Sequence, residues 1–307
     1  GPGKNYFNEN LEFSNKSIYS YGFNWDVNPM IGIEGKITNG YGATPATGLL
    51  TIPSANEPLY YFGASYKPYK EDTRFTPLNK ENQLLLHGGL SVENALMPMR
   101  DKSQLSFNYD SSGSLLSEYK YSLSNIFQLQ LISLGSTKGI NYQSKNNSNL
   151  RSTYLNEYNF NYRLGGKLLF LSPQKDDQIW LSSRLSIGRD LHSRQGYFFS
   201  DLAGTFKLNK KFAFNISPKY LFSGVDNLSA LGISSYITLT EKLLFITETN
   251  IGLNDNSENN STFSFRYANN SDKVIDFYLS NAVGLEDLDQ LLKSENYKFG
   301  MKISFIF

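Results

Sequence analysis

Apolar and polar residues alternate with a period of two along most of this 307-residue chain. Leu105, Phe107 and Tyr109 are interleaved with Gln104, Ser106, Asn108 and Asp110. The same alternation runs through Tyr119, Tyr121 and Leu123, through Phe127, Leu129 and Leu131, and through Tyr158, Phe160, Tyr162 and Leu164. It returns at Phe212, Phe214 and Ile216, at Phe263, Phe265 and Tyr267, and at Ile275, Phe277 and Leu279. Successive side chains of a strand point to opposite faces, so each run predicts a strand with one apolar and one polar face. Short turn sequences such as Asp110-Ser111-Ser112-Gly113 and Leu208-Asn209-Lys210 join some runs, and longer polar stretches such as residues 144–149, 188–196 and 254–261 join others. The pattern predicts one long antiparallel meander, with residues 1–307 forming a single domain.

The last run is the most pronounced. Tyr297, Phe299, Met301, Ile303, Phe305 and Phe307 share one face, and Lys298, Gly300, Lys302 and Ser304 share the other. A closing strand with an apolar, aromatic-ended face resembles those of bacterial outer-membrane β-barrels. The resemblance implies an all-β fold: a single antiparallel transmembrane β-barrel of about 14–16 strands in a bacterial outer membrane. It also implies contact with outer-membrane lipids and with the barrel-assembly machinery, for which this strand would be the sorting and closing element. Closure is expected against an N-terminal strand near residues 6–13.

Composition agrees with this picture. Mean hydropathy is −0.39, and a barrel wall reaches such a value because only alternate residues meet lipid. Aromatic residues make up 15% of the chain, as girdles at two membrane interfaces would require. Net charge is +1, which gives no electrostatic reason to expect a nucleic-acid partner. Cysteine is absent, which excludes disulfides and thiol chemistry. Residues 1–3, Gly-Pro-Gly, read as the scar of a tag-removing protease, which is compatible with prior removal of an export leader.

Two stretches break the alternation. Residues 40–58 hold three prolines and three glycines among small, semi-apolar residues, which argues against a regular strand. They are expected to be a plug or constriction, in or over the lumen, with Thr44, Pro45, Leu49, Leu50, Ile52 and Pro53 as its candidate residues. Within them, Gly48-Leu49-Leu50-Thr51-Ile52-Pro53-Ser54-Ala55 resembles a signature of exopolysaccharide- and capsule-associated outer-membrane barrels. Residues 285–292 place Leu285, Leu288, Leu291 and Leu292 at helical spacing, with acids in the first turns. This predicts a short helix at the rim or in the lumen.

If the aromatic faces look outward, Glu118, Lys120, Arg163, Arg184, Lys219, Glu248, Arg266 and Asp276 point inward as pore-lining candidates. Inward charges of both signs can line a wet pore or pair across it. The expected function is a channel for passive diffusion of small polar solutes or ions, with a slight anion preference. The alternative is a barrel that secretes or docks an envelope polysaccharide, and a third reading is a lipid-modifying enzyme. Asp190, His192 and Ser193 are too close in sequence to converge on one reacting atom. No catalytic residue, metal site or cofactor is therefore expected.

Overall fold

The structure is a computed structural model. It describes residues 3–4, 13–14, 19–28, 31–41, 52–53, 58–67, 83–136, 161–172, 179–189, 196–223 and 227–307. The chain divides into two compact units, Gly1–Thr73 and Arg74–Phe307.

The first unit holds a three-stranded antiparallel sheet of β1 (Ser20–Asn28), β2 (Ile31–Thr38) and β3 (Leu59–Tyr66), with β2 in the centre. Gly3–Lys4 pairs with Phe13–Ser14, and Gly40–Tyr41 pairs with Ile52–Pro53.

The second unit is a closed antiparallel barrel of twelve strands. They are β4 (Ser103–Asp110), β5 (Ser114–Ser122), β6 (Phe127–Ser136), β7 (Asn161–Leu171), β8 (Ile179–Arg189) and β9 (Gly196–Lys207). The circuit continues with β10 (Phe212–Phe222), β11 (Asn227–Thr240), β12 (Leu243–Gly252), β13 (Asn260–Asn270), β14 (Lys273–Ala282) and β15 (Lys293–Ile306). Each strand pairs with its neighbour in sequence, and β15 returns to β4. Twelve strands therefore close the wall, fewer than the 14–16 expected. The expected meander ran through residues 1–307, whereas β1, β2 and β3 pair only with one another. Alternation reports that a strand is half-buried, and is silent on which sheet it joins.

Closure also differs from expectation. β15 pairs with β4 from Gly300↔Asp110 to Ile306↔Gln104, rather than with residues 6–13. Ser103 and Phe307 exchange both backbone hydrogen bonds at 2.9 Å. An open edge in hydrocarbon would strand a row of N–H and C=O groups, and this ring leaves none.

Local chemistry explains the turns. Asp110 accepts a hydrogen bond from Ser112 N at 2.9 Å, and Gly113 takes φ 84°, a conformation that glycine adopts without strain. Asn209 Oδ1 accepts from Lys211 N and Phe212 N at 2.8 and 2.9 Å, which ties the β9–β10 turn. Pro218 in β10 has no N–H to give, and the β9–β10 ladder breaks at that point, between Asp201↔Lys219 and Gly204↔Ile216.

The two faces of the wall differ as the alternation predicts. Phe107, Tyr109, Leu185, Ile187, Phe265 and Phe277 point outward and are exposed, while Ser106, Asn108, Arg184, Ser186, Arg266 and Asp276 point inward and are buried. On β15, Tyr297, Phe299, Met301 and Phe307 are exposed, Ile303 and Phe305 are half-buried, and Lys298, Lys302, Ser304 and Ile306 face in. A belt this wide and apolar is incompatible with an aqueous surroundings and fits a lipid one. Among the described residues no helix is long and apolar enough to cross a membrane.

Phe277 sits mid-strand on β14 and is 57% exposed. The Phe277→Arg substitution is expected to lower stability in phospholipid by about 2–4 kcal/mol, measured by denaturant unfolding of refolded protein. A loss below about 0.5 kcal/mol, as at an ordinary wet surface, would place this face outside hydrocarbon.

Candidate functional site

The lumen is the candidate site. Glu118, Lys120, Arg163, Arg184, Lys219, Glu248, Arg266 and Asp276 are all buried there, on the inward face of the wall. They meet two segments of the chain itself. Residues 84–98 form the first insert. It opens with a 3₁₀ turn at Leu84–His87 and then runs as irregular backbone, buried from residue 87 to residue 98. Residues 283–292 form the second. Its only helical part is a 3₁₀ turn at Asp289–Leu291, so the short helix expected over 285–292 is reduced to three residues. The leucines at helical spacing are used for packing instead. Leu288, Leu291 and Leu292 bury against Tyr197, Phe199, Leu221 and Leu228 of the wall.

Strand directions show where each insert enters. The links after β5, β9, β11 and β13 are short and lie at one end of the barrel, the end at which β4 begins. The first insert leads into β4 and so enters from this short-turn end. The second joins β14 to β15 and enters from the opposite end.

The inserts are held by charge and by backbone. Glu248 of β12 receives hydrogen bonds from the N–H groups of Leu90, Ser91 and Val92 at 2.8, 2.5 and 3.3 Å, and from Ser91 Oγ at 2.9 Å. Three consecutive N–H groups on one carboxylate make a nest, and charge-assisted bonds of this kind are roughly twice as strong as neutral ones. Gly89 permits it: a Cβ there would lie 1.9 Å from Val92 O and 2.5 Å from Glu248 Oε1. Lys167 of β7 donates to Glu93 Oε1 at 3.2 Å and to the carbonyls of Asn94 and Leu96 at 2.6 and 2.7 Å. Lys120 lies 3.4 Å from Glu93 and 3.0 Å from Glu118. Burial alone would raise the Glu93 carboxyl, but Lys120 and Lys167 outweigh it and hold that group well below the usual carboxylate range.

The second insert is anchored by arginines. Arg163 donates to Asp289 Oδ2 at 2.8 Å and to the Glu286 carbonyl at 2.9 Å. Arg184 reaches Glu286 at 2.8 Å while clasping Asp201 through Nε and NH2 at 3.0 and 2.8 Å. The Arg184 guanidinium also lies over the Phe199 ring, 5.0 Å from its centroid. Lys298 donates to the Val283 carbonyl at 2.6 Å and to Asp110 at 3.0 Å. Arg266 is paired with Asp276 at 2.8 and 3.1 Å and also donates to the Leu84 carbonyl at 3.0 Å.

The inserts meet at Lys219. Its Nζ donates to the Ser91 carbonyl of the first at 2.6 Å, to Gln290 Oε1 of the second, and to Asn250 Oδ1 at 2.6 Å. Leu90 of the first insert and Leu285 of the second also pack together with Tyr278.

Thr44, Pro45, Leu49 and Leu50 lie outside the described residues, as do Asp190, His192 and Ser193. Ile52–Pro53 belongs to the first unit. Within the second unit, residues 84–98 and 283–292 occupy the lumen. Glu93, Lys167 and Asp201 belong to the lumen network but are not among the residues expected from the alternation. The available signal was a run of Gly88-Gly89 and Pro98 with no alternation, placed before the first barrel strand.

His87 has a packing role. Its Nε2–H donates to the Ser271 carbonyl at 2.8 Å, and Nδ1 is buried without a partner. Burial, and then the Arg266 guanidinium, push the imidazole down to about 4. Among the described residues no group of acids, histidines or cysteines is arranged to hold a metal ion.

No protein-family model matches the chain, and no curated protein does. Solved structures give distant likenesses. A KdgM porin aligns at TM-score 0.49 with 7% identity, over 67% of this chain and 99% of that one. A NanC porin aligns at 0.44 with 11% identity, over 66% and 98%. An outer membrane channel from Pseudomonas putida F1 aligns at 0.43 with 10% identity, over 69% and 97%. Likenesses at this level carry no argument about function, which has to come from the lumen itself.

His87 supplies a pH test. The imidazole is neutral in the fold and charges near pH 6.5 when unfolded, so stability is complete above pH 6.5 and falls as pH drops toward 4. Relative to His87→Gln, whose amide can still donate to Ser271, the wild type is expected to lose about 3 kcal/mol between pH 7 and pH 4. Glu286 is pushed up to about 7 by burial and by Glu118, with Arg184 opposing, and titrates in the opposite sense in both proteins. The difference between them therefore isolates the imidazole. Parallel denaturant midpoints across this range would show that His87 is solvated. The architecture as a whole is a closed twelve-stranded antiparallel β-barrel with an apolar outer face and a lumen occupied by its own chain.

Proposed function

We propose that this chain is a gated outer-membrane channel for small polar solutes, with anions favoured, and that it is closed by its two inserts in the state described. One observation carries the reading. Among the described residues, the inward face of the wall buries eight cations, Lys120, Arg163, Lys167, Arg184, Lys219, Arg266, Lys298 and Lys302. It buries five anions, Asp110, Glu118, Asp201, Glu248 and Asp276. The inserts contribute four more carboxylates, Glu93, Glu286, Asp287 and Asp289.

The acids of the inserts thus neutralise a wall that is cationic without them. Displaced, they would leave Arg163 and Lys167 without their carboxylate partners on a wall where cations outnumber anions, and such a wall concentrates anions. Twelve strands also enclose more space than inward side chains alone fill, and here the extra space is taken by the inserts. The short-turn end, from which residues 84–98 enter, is assigned to the periplasm, following the usual arrangement of turns and loops in such barrels.

Planar-bilayer recording tests this. The full chain is expected to show little steady current. Excising residues 86–96 with a Gly-Ser bridge, and then residues 285–291 as well, is expected to raise single-channel conductance stepwise, at least several-fold for the double deletion. In a salt gradient the opened barrel should prefer anions, and Lys167→Gln with Arg184→Gln should move the reversal potential toward cations. Unchanged conductance in a double deletion that still shifts on heating in gels would favour a docking barrel for an envelope polysaccharide.

A further inference from the structure

The first unit carries a face that neither the lumen nor the channel reading uses. In the β1–β2–β3 sheet, residues directly opposite one another share a face. The register pairs Tyr21 with Ile37 and Tyr60, Phe23 with Gly35 and Phe62, and Trp25 with Ile33 and Ala64. One face of the sheet is therefore aromatic and aliphatic. Tyr21 is 72% exposed, Tyr60 78%, Phe62 73%, Phe23 58% and Trp25 57%. The Phe23 ring lies over Gly35, where a Cβ would come within 2.5 Å of it, so the face is flat at its centre. Asn24, Asp26, Glu34 and Lys36 all fall on the opposite face.

We infer that this aromatic face binds the surface of a lipid bilayer. Three features of the sheet select lipid. The face mixes Phe, Ile and Tyr, which the barrel also presents outward at Phe107, Tyr109, Ile187 and Phe277, and it adds Trp25. Trp and Tyr settle at the headgroup level, where an apolar body and a polar tip are both accommodated. The face also lacks the acids and amides that would fix sugar hydroxyls beside an aromatic ring, because those residues lie on the other side of the sheet. Finally, the chain continues into a barrel read as spanning a membrane, so a bilayer is always available to it. A three-stranded sheet cannot close on itself, and an open edge is excluded from hydrocarbon. The sheet accordingly lies on the interface and does not cross it.

Trp25 sits on this face, and the chain's other tryptophan, Trp180, is buried in the barrel. The difference in fluorescence between the full chain and its Trp25→Phe variant, both reconstituted in phosphatidylcholine vesicles, therefore reports Trp25 alone. Replacing the lipid with brominated phosphatidylcholine is expected to quench the Trp25 signal at least two-fold, while aqueous iodide quenches it weakly. The quadruple variant Tyr21→Ser, Phe23→Ser, Tyr60→Ser and Phe62→Ser should lose the brominated-lipid quenching and gain iodide quenching. If it does not fold, Phe62→Ser alone should show a partial change in the same direction. Strong iodide quenching without lipid quenching in the unaltered face would overturn the inference. Protection from both quenchers would overturn it too, showing the face covered by another copy of the chain or by another protein. Heat-dependent gel migration reports barrel insertion separately, so failure of the barrel reading is distinguishable from failure of this one.

Discussion

A closed sheet with lipid outside leaves its charged side chains only one direction to point. An Arg or Lys on the outer face at mid-bilayer would cost about 2–4 kcal/mol, so Arg163, Lys167, Arg184, Lys219 and Arg266 all project into the lumen. Once there, away from bulk water, each needs a counter-charge or a carbonyl. The wall supplies part of this through direct cross-strand pairs, Arg184 opposite Asp201 and Arg266 opposite Asp276. The inserts supply the rest. Filling the lumen and neutralising it are thus one requirement met by the same residues.

The two inserts meet it differently. The first is held chiefly through its backbone: the Leu90–Ser91–Val92 nest on Glu248 and the carbonyls of Ser91, Asn94 and Leu96 on lysines. The second is held by side-chain carboxylates on Arg163 and Arg184, and by leucines packed on aromatic wall residues. Buried ion pairs contribute little net stability, since desolvation offsets most of their attraction, but removing one partner is strongly unfavourable. Such contacts specify a position more than they strengthen it. A segment positioned mainly by polar contacts can leave when other polar groups replace them. That is the physical basis for reading the first insert as displaceable.

Lys219 links the two. A single ammonium group bonded to a carbonyl of one insert and an amide of the other couples segments that enter from opposite ends. Movement of either one removes a partner from that buried ammonium, which favours concerted movement of the pair.

The chain's own pattern determined which face of every strand meets lipid, because alternation of side chains is a local property with a fixed period of two. It also determined turns such as Asp110 to Gly113, where an Asx side chain and a positive-φ glycine act within four residues. The burial of Glu118, Lys120, Arg163, Arg184, Lys219, Glu248, Arg266 and Asp276 follows from the same alternation. The tertiary structure alone decided that β15 closes on Ser103–Asp110, that Ser20–Asn28, Ile31–Thr38 and Leu59–Tyr66 pair into a sheet of their own, and that residues 84–98 lie in the lumen. It also chose the partner of each charge, as when Glu93 meets Lys167 across 74 positions. Strand closure and lumen filling join residues far apart in sequence, and they are settled by which groups can bury and pair together, which no local period encodes.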